Sequence, residues 1–126
     1  MTTGQEVGEH FITALRAADF TAIGSCLTPA VRLRALLPTR MVDAEGREPV
    51  LALLRDWLQA GVGLTVLDAS VDTVGRRLHL SYLVRLDADD GPRVMQQQAY
   101  CDVTADGIGS VRLLCSGGMP VQAFQH

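Results

Sequence analysis

The sequence predicts one α+β domain, residues 1–126, in which a curved antiparallel β-sheet carries three helices from the N-terminal half on its concave face. Up to Gly61 apolar residues recur mostly every three or four positions, which is the spacing of an amphipathic helix. After Gly61 they recur at every second position, which is the spacing of a half-buried strand. Short turns rich in Gly and Asp separate the later runs, as in consecutive antiparallel strands. With 126 residues, 48% of them apolar, the chain has the size and apolar content of a single domain.

The N-terminal half predicts three helices, one strand and one loop. Asp19 is suited to be a helix N-cap, and Pro49 suits the first turn of a helix because its missing N–H has no partner there. Pro29, Pro38 and Gly61 each end an element. The predicted elements are, in order, helices over residues 5–18 and 19–27, a strand over 31–37, a polar loop over 39–48, and a helix from 49 to Gly61.

The rest of the chain predicts four strands in succession. Each run alternates apolar and polar side chains and is bounded by turn residues. The predicted strands cover residues 64–74, 78–86, 93–104 and 108–116. Short turns between them predict an antiparallel meander, with the helices packed on one of its faces.

The charge of the chain argues against a nucleic-acid partner. Eleven basic residues, all of them scattered Arg, stand against fourteen acidic ones, and the formal charge is −3. A nucleic-acid binder normally has a basic balance or a basic stripe. The N-terminus lacks a basic segment followed by an apolar core, and no apolar run is long enough to span a bilayer, so we expect neither a signal peptide nor a membrane partner.

The cysteines indicate the compartment. Cys26, Cys101 and Cys115 are odd in number and lack metal-ligand spacing, so we expect three reduced thiols in a cytoplasmic protein. The sequence also has no glycine-rich phosphate loop. We therefore expect neither a metal nor a cofactor.

Three stretches resemble the SnoaL-like family of the nuclear-transport-factor-2-like (NTF2-like) superfamily. They are FITALRAADFTAIGSCLTPAVRLRA, similar to its first two helices and first strand, EGREPVLALLRDWL, similar to its entry into the third helix, and YCDVTADGIGSVRLLCSG, similar to its final hairpin. The resemblance covers nearly the whole chain through order, length and patterning. It implies a cone-shaped, cystatin-like fold around an apolar pocket. The family includes ketosteroid isomerases, polyketide cyclases, epoxide hydrolases, dehydratases and non-catalytic proteins, so it does not name one function.

The ketosteroid isomerase site is a family arrangement that can be checked residue by residue. It needs a carboxylate base on the first strand, with an oxyanion hole from a Tyr on the first helix and a protonated Asp on the penultimate strand. The resemblance puts Phe11, Ala35 and Ala99 at these positions, and none of them can perform that chemistry. We therefore expect no classical ketosteroid isomerase.

Strand parity identifies the side chains expected to line the pocket. On the inward parity only Tyr82, Gln97, Cys101 and Cys115 are polar or reactive. The predicted ligand-binding residues are Phe11, Leu33, Ala35, Trp57, Tyr82, Gln97, Ala99, Val111, Leu113 and Cys115. If the protein is an enzyme, Tyr82 and Gln97 are the predicted catalytic residues and polarise a carbonyl. In the other interpretation, Tyr82 is a core aromatic, Gln97 a structural amide and the cysteines small core residues.

Two acids on the first strand of the meander are also candidates for the pocket. Asp68 and Asp72 share parity with Val66, so one of them could face inward, although acids on an edge strand more often face water. No pair of carboxylates is convincing.

The opposite face of the sheet predicts a protein–protein interface. It mixes aromatic, amide, Arg and aliphatic side chains, and is too apolar for a fully solvated face. The residues of outward parity are His79, Ser81, Leu83, Arg85, Gln96, Gln98, Tyr100, Asp102, Arg112 and Leu114. A symmetric homodimer through this face is the expected assembly.

The sequence leaves three functions open. The first is binding of a small hydrophobic or polycyclic molecule in the apolar pocket, with cofactor-independent polyketide cyclisation or isomerisation as the reaction if the protein is an enzyme. The second is non-catalytic binding or sequestration of such a molecule. The third is a dimeric interaction module whose cavity is incidental.

Overall fold

A computed structural model describes residues 3–58, 63–75 and 77–121 of the chain. These residues form α1 (Gly4–Arg16), α2 (Phe20–Ser25), β1 (Leu27–Leu36), β2 (Met41–Glu45), α3 (Arg47–Trp57), β3 (Gly63–Val74), β4 (Arg77–Ala88), β5 (Gly91–Thr104), β6 (Gly107–Cys115) and β7 (Met119–Pro120). The fold class is the predicted one, an α+β fold with a curved, open sheet. None of the described helices has the length and apolar character needed to cross a membrane.

The second helix is shorter than predicted. Asp19 is its N-cap, as expected, and its Oδ1 atom accepts a hydrogen bond from the Ala22 backbone N–H at 3.1 Å. Leu27, however, already pairs with Ile108 of β6. Strand β1 therefore begins at Leu27 and runs through Pro29, four residues before the predicted strand.

The prediction of a loop over residues 39–48 is wrong in part, because this segment contains strand β2. Val42 and Ala44 alternate with exposed neighbours, and the strand pairs antiparallel with β1. Across this pair, Arg34 Nε donates a hydrogen bond to Asp43 Oδ1 at 2.9 Å. The polar residues that suggested a loop are thus the solvent-facing half of an edge strand.

Helix α3 begins at Arg47, two residues before the predicted start at Pro49. Gly46 precedes it with a φ of 99°, a conformation that glycine adopts without strain. The Arg47 guanidinium donates hydrogen bonds to the Leu27 carbonyl oxygen from Nη2 at 2.8 Å and from Nε at 3.1 Å. These bonds attach the start of α3 to the sheet. The predicted end of the helix at Gly61 lies outside the described residues.

The strand order across the sheet is β2–β1–β6–β5–β4–β3, with β7 paired to β5. Strands β3 to β6 form the predicted antiparallel meander. Strands β1 and β6 are parallel, the single departure from antiparallel pairing among the described strands. This parallel pair brings the N-terminal strand into the sheet between β2 and β6, within reach of α3.

Strand β3 contains a β-bulge that the sequence pattern did not reveal. Its register with β4 shifts between Val66 and Asp68, so Leu67 is an extra residue, and it is exposed. After the bulge, Val71 faces the helices, whereas Asp68 and Asp72 are both exposed. Both acids thus face water, as acids on an edge strand more often do, and neither faces inward.

Helix α1 lies unusually close to the sheet at Gly8. A Cβ atom at this position would lie 2.5 Å from Val71 Cγ1 and 2.9 Å from Leu78 Cδ1. The absence of a side chain therefore sets the distance between α1 and strands β3 and β4.

Replacing Gly8 with alanine is expected to lower the free energy of unfolding by about 1–2 kcal/mol, because overpacking outweighs the better helix propensity of alanine. Urea denaturation measures the change. Gly4→Ala in the same helix is the control, since a Cβ there meets nothing closer than 3.4 Å. Adding Val71→Ala should recover part of the loss, and a Gly8→Ala variant as stable as the parent would contradict the close approach.

Candidate functional site

The concave face of the sheet, α1 and α3 enclose an apolar interior. Of the ten predicted lining residues, those that are buried are Phe11, Leu33, Ala35, Tyr82, Gln97, Ala99, Val111, Leu113 and Cys115. The inward parity predicted for β1, β4, β5 and β6 is thus confirmed. Trp57 differs, because it is only half-buried at the end of α3. A role in ligand binding remains a prediction for all ten.

Almost no free space remains in this interior. The residual cavity has a volume of about 10 Å³, roughly the room for one water molecule. Its walls are Phe11, Leu27, Leu33, Val50, Leu54, Leu80, Tyr82, Ala99, Cys101, Ile108, Val111 and Leu113. In this conformation the interior holds no molecule of the size of a polyketide or a steroid.

Several wall residues were missing from the predicted set, although the sequence carried a signal for most of them. Val50 and Leu54 are four residues apart on α3 and share its buried face. Leu80 has the parity of Tyr82 on β4. Leu27 could not be found by strand pattern, because it was assigned to the end of a helix.

A chain of hydrogen bonds joins the polar groups of the interior. The Tyr82 hydroxyl donates to Gln97 Oε1 at 2.6 Å, and Gln97 Nε2 donates to Cys115 Sγ at 3.5 Å. The Gly117 backbone N–H also donates to Cys115 Sγ, at 3.4 Å. The Phe11 ring lies beside the Tyr82 ring, with centroids 6.1 Å apart. The sequence predicted these residues individually, and the register of β4, β5 and β6 brings Tyr82, Gln97 and Cys115 together.

The interior is electrically neutral. Among the described residues no charged side chain is buried, and Gln97 is the buried polar one. Burial raises the pKa of the Tyr82 hydroxyl far above its ordinary value, and the neighbouring Cys101 and Cys115 add to this effect. Burial, assisted by Asp102, also raises the pKa of Cys101 to about 12. A tyrosinate or a Cys101 thiolate is therefore strongly disfavoured, and neither group is available as a base or a nucleophile near neutral pH.

The Tyr82–Gln97 pair nevertheless retains some capacity for hydrogen bonding. The amide nitrogen of Gln97 donates to a sulfur atom, which is a weak acceptor, so a ligand carbonyl would be a better partner. The Tyr82 oxygen, having donated its proton to Gln97, can still accept a bond. These atoms can therefore recognise one carbonyl or hydroxyl group. In the described part of the chain, no three His, Cys, Asp or Glu side chains come close enough together to hold a metal ion.

Solved structures with the same architecture set this interior in context. A protein of unknown function with a cystatin-like fold from Xanthomonas campestris aligns with a TM-score of 0.72 and 16% identity over 98% of both chains. A "putative polyketide cyclase" from Xanthomonas campestris pv. campestris aligns with a TM-score of 0.70 and 18% identity, over 96% of this chain and 93% of the other. An NTF2-like protein from Anabaena variabilis ATCC 29413 gives a TM-score of 0.68 and 14% identity, over 89% and 85%. The chain has the NTF2-like fold.

The predicted resemblance to the SnoaL-like and NTF2-like proteins is thus confirmed as a resemblance of fold. No protein-family model matches the sequence, and no curated protein matches it significantly. Within this NTF2-like fold, Phe11, Ala35 and Ala99 are all buried and carry no acid or base. The function must therefore be inferred from the interior of this chain itself.

Proposed function

We propose that this protein binds a small, neutral, largely apolar molecule between its sheet and its helices, and that it does so without catalysing a reaction. The observation that carries the proposal is the buried hydrogen bond of 2.6 Å between Tyr82 and Gln97 in an otherwise apolar interior. Ligand sites typically combine apolar walls with a few placed polar groups. The proposal also places the protein in the cytoplasm, where its three buried free cysteines would remain reduced.

The chemistry of the interior defines the ligand class. A carboxylate or an ammonium group would be buried without a counter-charge, which costs far more than a neutral polar group. A ketone could accept a hydrogen bond from the Gln97 amide N–H, and an alcohol could in addition donate one to the Tyr82 hydroxyl oxygen. We therefore infer a hydrophobic molecule, including a polycyclic one, with one neutral oxygen function near this pair.

The cavity must enlarge before such a molecule can enter, since the free volume is about 10 Å³. Among the described residues, no side-chain hydrogen bond joins α1 to the sheet, whereas Arg47 ties α3 to the Leu27 carbonyl. Apolar packing alone allows small displacements without breaking directional bonds. We infer that α1 moves away from the sheet when the ligand enters.

A second candidate function is that of a cofactor-independent polyketide cyclase or isomerase. The observation in its favour is the fold similarity to the protein named as a cyclase. In this case Tyr82 and Gln97 would polarise a ligand carbonyl as catalytic residues. The neutral interior lacks a buried carboxylate base among the described residues, which is why we favour binding alone.

Three bicyclic probes of similar size test the proposed site: tetralin, 1-tetralone and 1,2,3,4-tetrahydro-1-naphthoate. We expect 1-tetralone to raise the Tm by about 2–5 °C, tetralin to raise it less, and the carboxylate to leave it unchanged. Differential scanning fluorimetry or calorimetry provides the measurement. If none of the probes raises the Tm, or if the carboxylate raises it most, the proposal is wrong.

Two adjacent glutamines provide a matched control. Gln97 faces the interior, and Gln98 lies on the opposite face, where it accepts a hydrogen bond from Tyr100. Gln97→Met should remove the advantage of 1-tetralone over tetralin, and Gln98→Met should preserve it. An equal loss in both variants would mean that the ketone does not bond to the Gln97 amide.

The same ketone distinguishes binding from catalysis. A cyclase or isomerase that polarises a carbonyl should accelerate exchange of the C2 protons of 1-tetralone with D2O, because enolisation precedes exchange. We expect NMR to show exchange at the rate without protein. Acceleration that disappears in Gln97→Met would support the second function instead.

A further inference from the structure

The face of the sheet opposite the helices, which we call the outer face, carries two grooves of about 390 and 550 Å³. The grooves meet on β6, because Ser110 and Arg112 line both of them. From β6 the first groove crosses β5 and β4 to β3, and the second crosses β1 to β2. The sheet itself separates this surface from the interior described above.

Three arginines come together where the grooves meet. Arg34 lies opposite Arg112 in the parallel pairing of β1 with β6, and Arg32 lies opposite Ser110. These residues are far apart in the sequence, and the pairing of the two strands makes them neighbours. Like charges on directly opposite residues of a sheet repel each other. An anion that contacts several of these guanidinium groups would relieve the repulsion.

The guanidinium groups retain N–H donors for such an anion. Arg34 donates to Asp43 from Nε at 2.9 Å and from Nη2 at 3.3 Å, which leaves Nη1. Arg32 donates to Glu45 from Nε at 3.4 Å, which leaves both terminal nitrogens. Arg112 makes no ion pair within the described residues. Donors from β1 and β6 thus line the same groove.

The charges around this point leave a local positive excess. The three arginines stand against the two acids of β2, so one positive charge is in excess, whereas the whole chain carries a formal charge of −3. Asp102, opposite Ser110, is paired with Arg77, whose Nε lies 3.9 Å from its Oδ1. Asp72 is three strand spacings from Arg112, roughly 14 Å. An anion at Arg112 is therefore favoured over a cation.

An aromatic ring lies next to the arginines. Tyr100 is opposite Arg112 on β5 and is 49% exposed. Its ring stacks on that of His79, with centroids 4.6 Å apart, so its orientation is fixed from the β4 side. The exposed part of the ring offers an apolar surface for a planar organic group.

We propose that the outer face binds a phosphate monoester of a planar aromatic group, with the phosphate at Arg112, Ser110 and Arg34 and the aromatic group against Tyr100. Guanidinium groups form charge-assisted, frequently bidentate hydrogen bonds with phosphate oxygens. A phosphate ester has three acceptor oxygens, so it can contact donors of β1 and β6 at the same time. A carboxylate has two, and it can use fewer of these donors.

NMR titration of the backbone amides of the full chain at low ionic strength tests the site. We expect phenyl phosphate to bind with a Kd of about 1 mM or below and to shift amides of β1, β5 and β6 around Arg112. Inorganic phosphate and benzoate should bind about tenfold more weakly, because one lacks the ring and the other lacks the third oxygen. Added NaCl should weaken binding, since the site is exposed.

Four variants locate the phosphate and the ring. Arg112→Gln should raise the Kd of phenyl phosphate about tenfold or more, whereas Arg85→Gln, an exposed arginine of β4 outside both grooves, should leave it unchanged. Asp43→Asn should lower the Kd about threefold, because it frees Arg34 and removes a negative charge. Tyr100→Ala should abolish the advantage of phenyl phosphate over inorganic phosphate.

Other outcomes would overturn the proposal. Unshifted amides at about 10 mM phenyl phosphate would exclude the site. Equal losses in Arg112→Gln and Arg85→Gln would indicate general attraction to surface arginines. If Arg112→Gln changes the sedimentation coefficient of the protein but not the Kd, Arg112 serves a contact between copies of the chain instead.

Gln97→Met separates this proposal from the proposed binding in the interior. Its side chain lies on the other side of the sheet, so phenyl phosphate should bind this variant with an unchanged Kd. A loss of phenyl phosphate binding in Gln97→Met would place the ligand in the interior and overturn the outer site. Circular dichroism melts of each variant confirm that a change in binding is not a loss of the fold.

Discussion

Replacing Phe11 with alanine is expected to lower the free energy of unfolding by about 3–5 kcal/mol. Phe11 is 4% exposed, and its ring packs beside Tyr82 between α1 and the sheet. The cost is high because the surrounding side chains are already closely packed and can fill only part of the space. Urea denaturation followed by circular dichroism measures the loss. Phe11→Leu, with a smaller expected loss, serves if the alanine variant is unfolded.

The same substitution connects packing with function. Phe11 is a wall of the residual cavity, so its removal should create room beside the Tyr82–Gln97 pair, and 1-tetralone should raise the Tm of Phe11→Ala more than that of the parent. Phe20→Ala is the matched control, since Phe20 is also buried but packs under Arg55, away from the cavity. Equal stabilisation of both variants by the ketone would contradict a binding site at this cavity.

The predictions that held depend on local features of the sequence, either the period of a strand or a contact between residues close in the chain. On β4, alternate residues from Leu78 to Leu86 are all buried, because the two-residue period of a strand leaves no other choice once one member faces the core. The same rule placed Gln97 and Cys115 inside from their apolar neighbours alone. Asp19 was recognised as an N-cap because its side chain bonds to a backbone N–H only three residues away.

The predictions that failed depend on contacts between distant parts of the chain. The sequence of strand β2 predicts a loop because half of its side chains face water. The segment forms a strand because it pairs with β1. The bulge at Leu67 is visible only in the register with β4. It reverses the alternation after Val66, so parity with Val66 does not give the direction in which Asp68 and Asp72 face. The predicted second helix ends before Leu27, because that residue pairs with Ile108 of β6.

The largest difference between what the sequence predicts and what the structure shows is the closed interior. Parity identifies which side chains point inward, but free volume depends on how closely the helices approach the sheet. At Gly8 the missing side chain lets α1 come within contact distance of Val71 and Leu78. In place of the pocket that the resemblance implied, the structure has a cavity of about 10 Å³. For this reason the size of the ligand could not be inferred from the lining residues.

Replacing Tyr82 with phenylalanine is expected to lower the free energy of unfolding by about 1–3 kcal/mol, because it leaves the carbonyl oxygen of a fully buried amide without its partner. Gln97→Met should cost a similar amount by leaving the Tyr82 hydroxyl unpaired. The double variant removes both polar groups, so its loss should be clearly smaller than the sum of the two. Urea denaturation of the four proteins gives the coupling energy, which we expect to be about 1–3 kcal/mol.

A second hydrogen-bonded pair on the same two strands supplies the control cycle. Gln96 Nε2 donates to Ser81 Oγ at 2.9 Å, but both side chains are partly exposed on the outer face, where water can replace a lost partner. The coupling between Ser81→Ala and Gln96→Met should therefore stay below about 0.5 kcal/mol. Additive losses for Tyr82→Phe and Gln97→Met would mean that their bond contributes nothing as a pair. The polar anchor on which the proposed binding function rests would then lack an energetic basis.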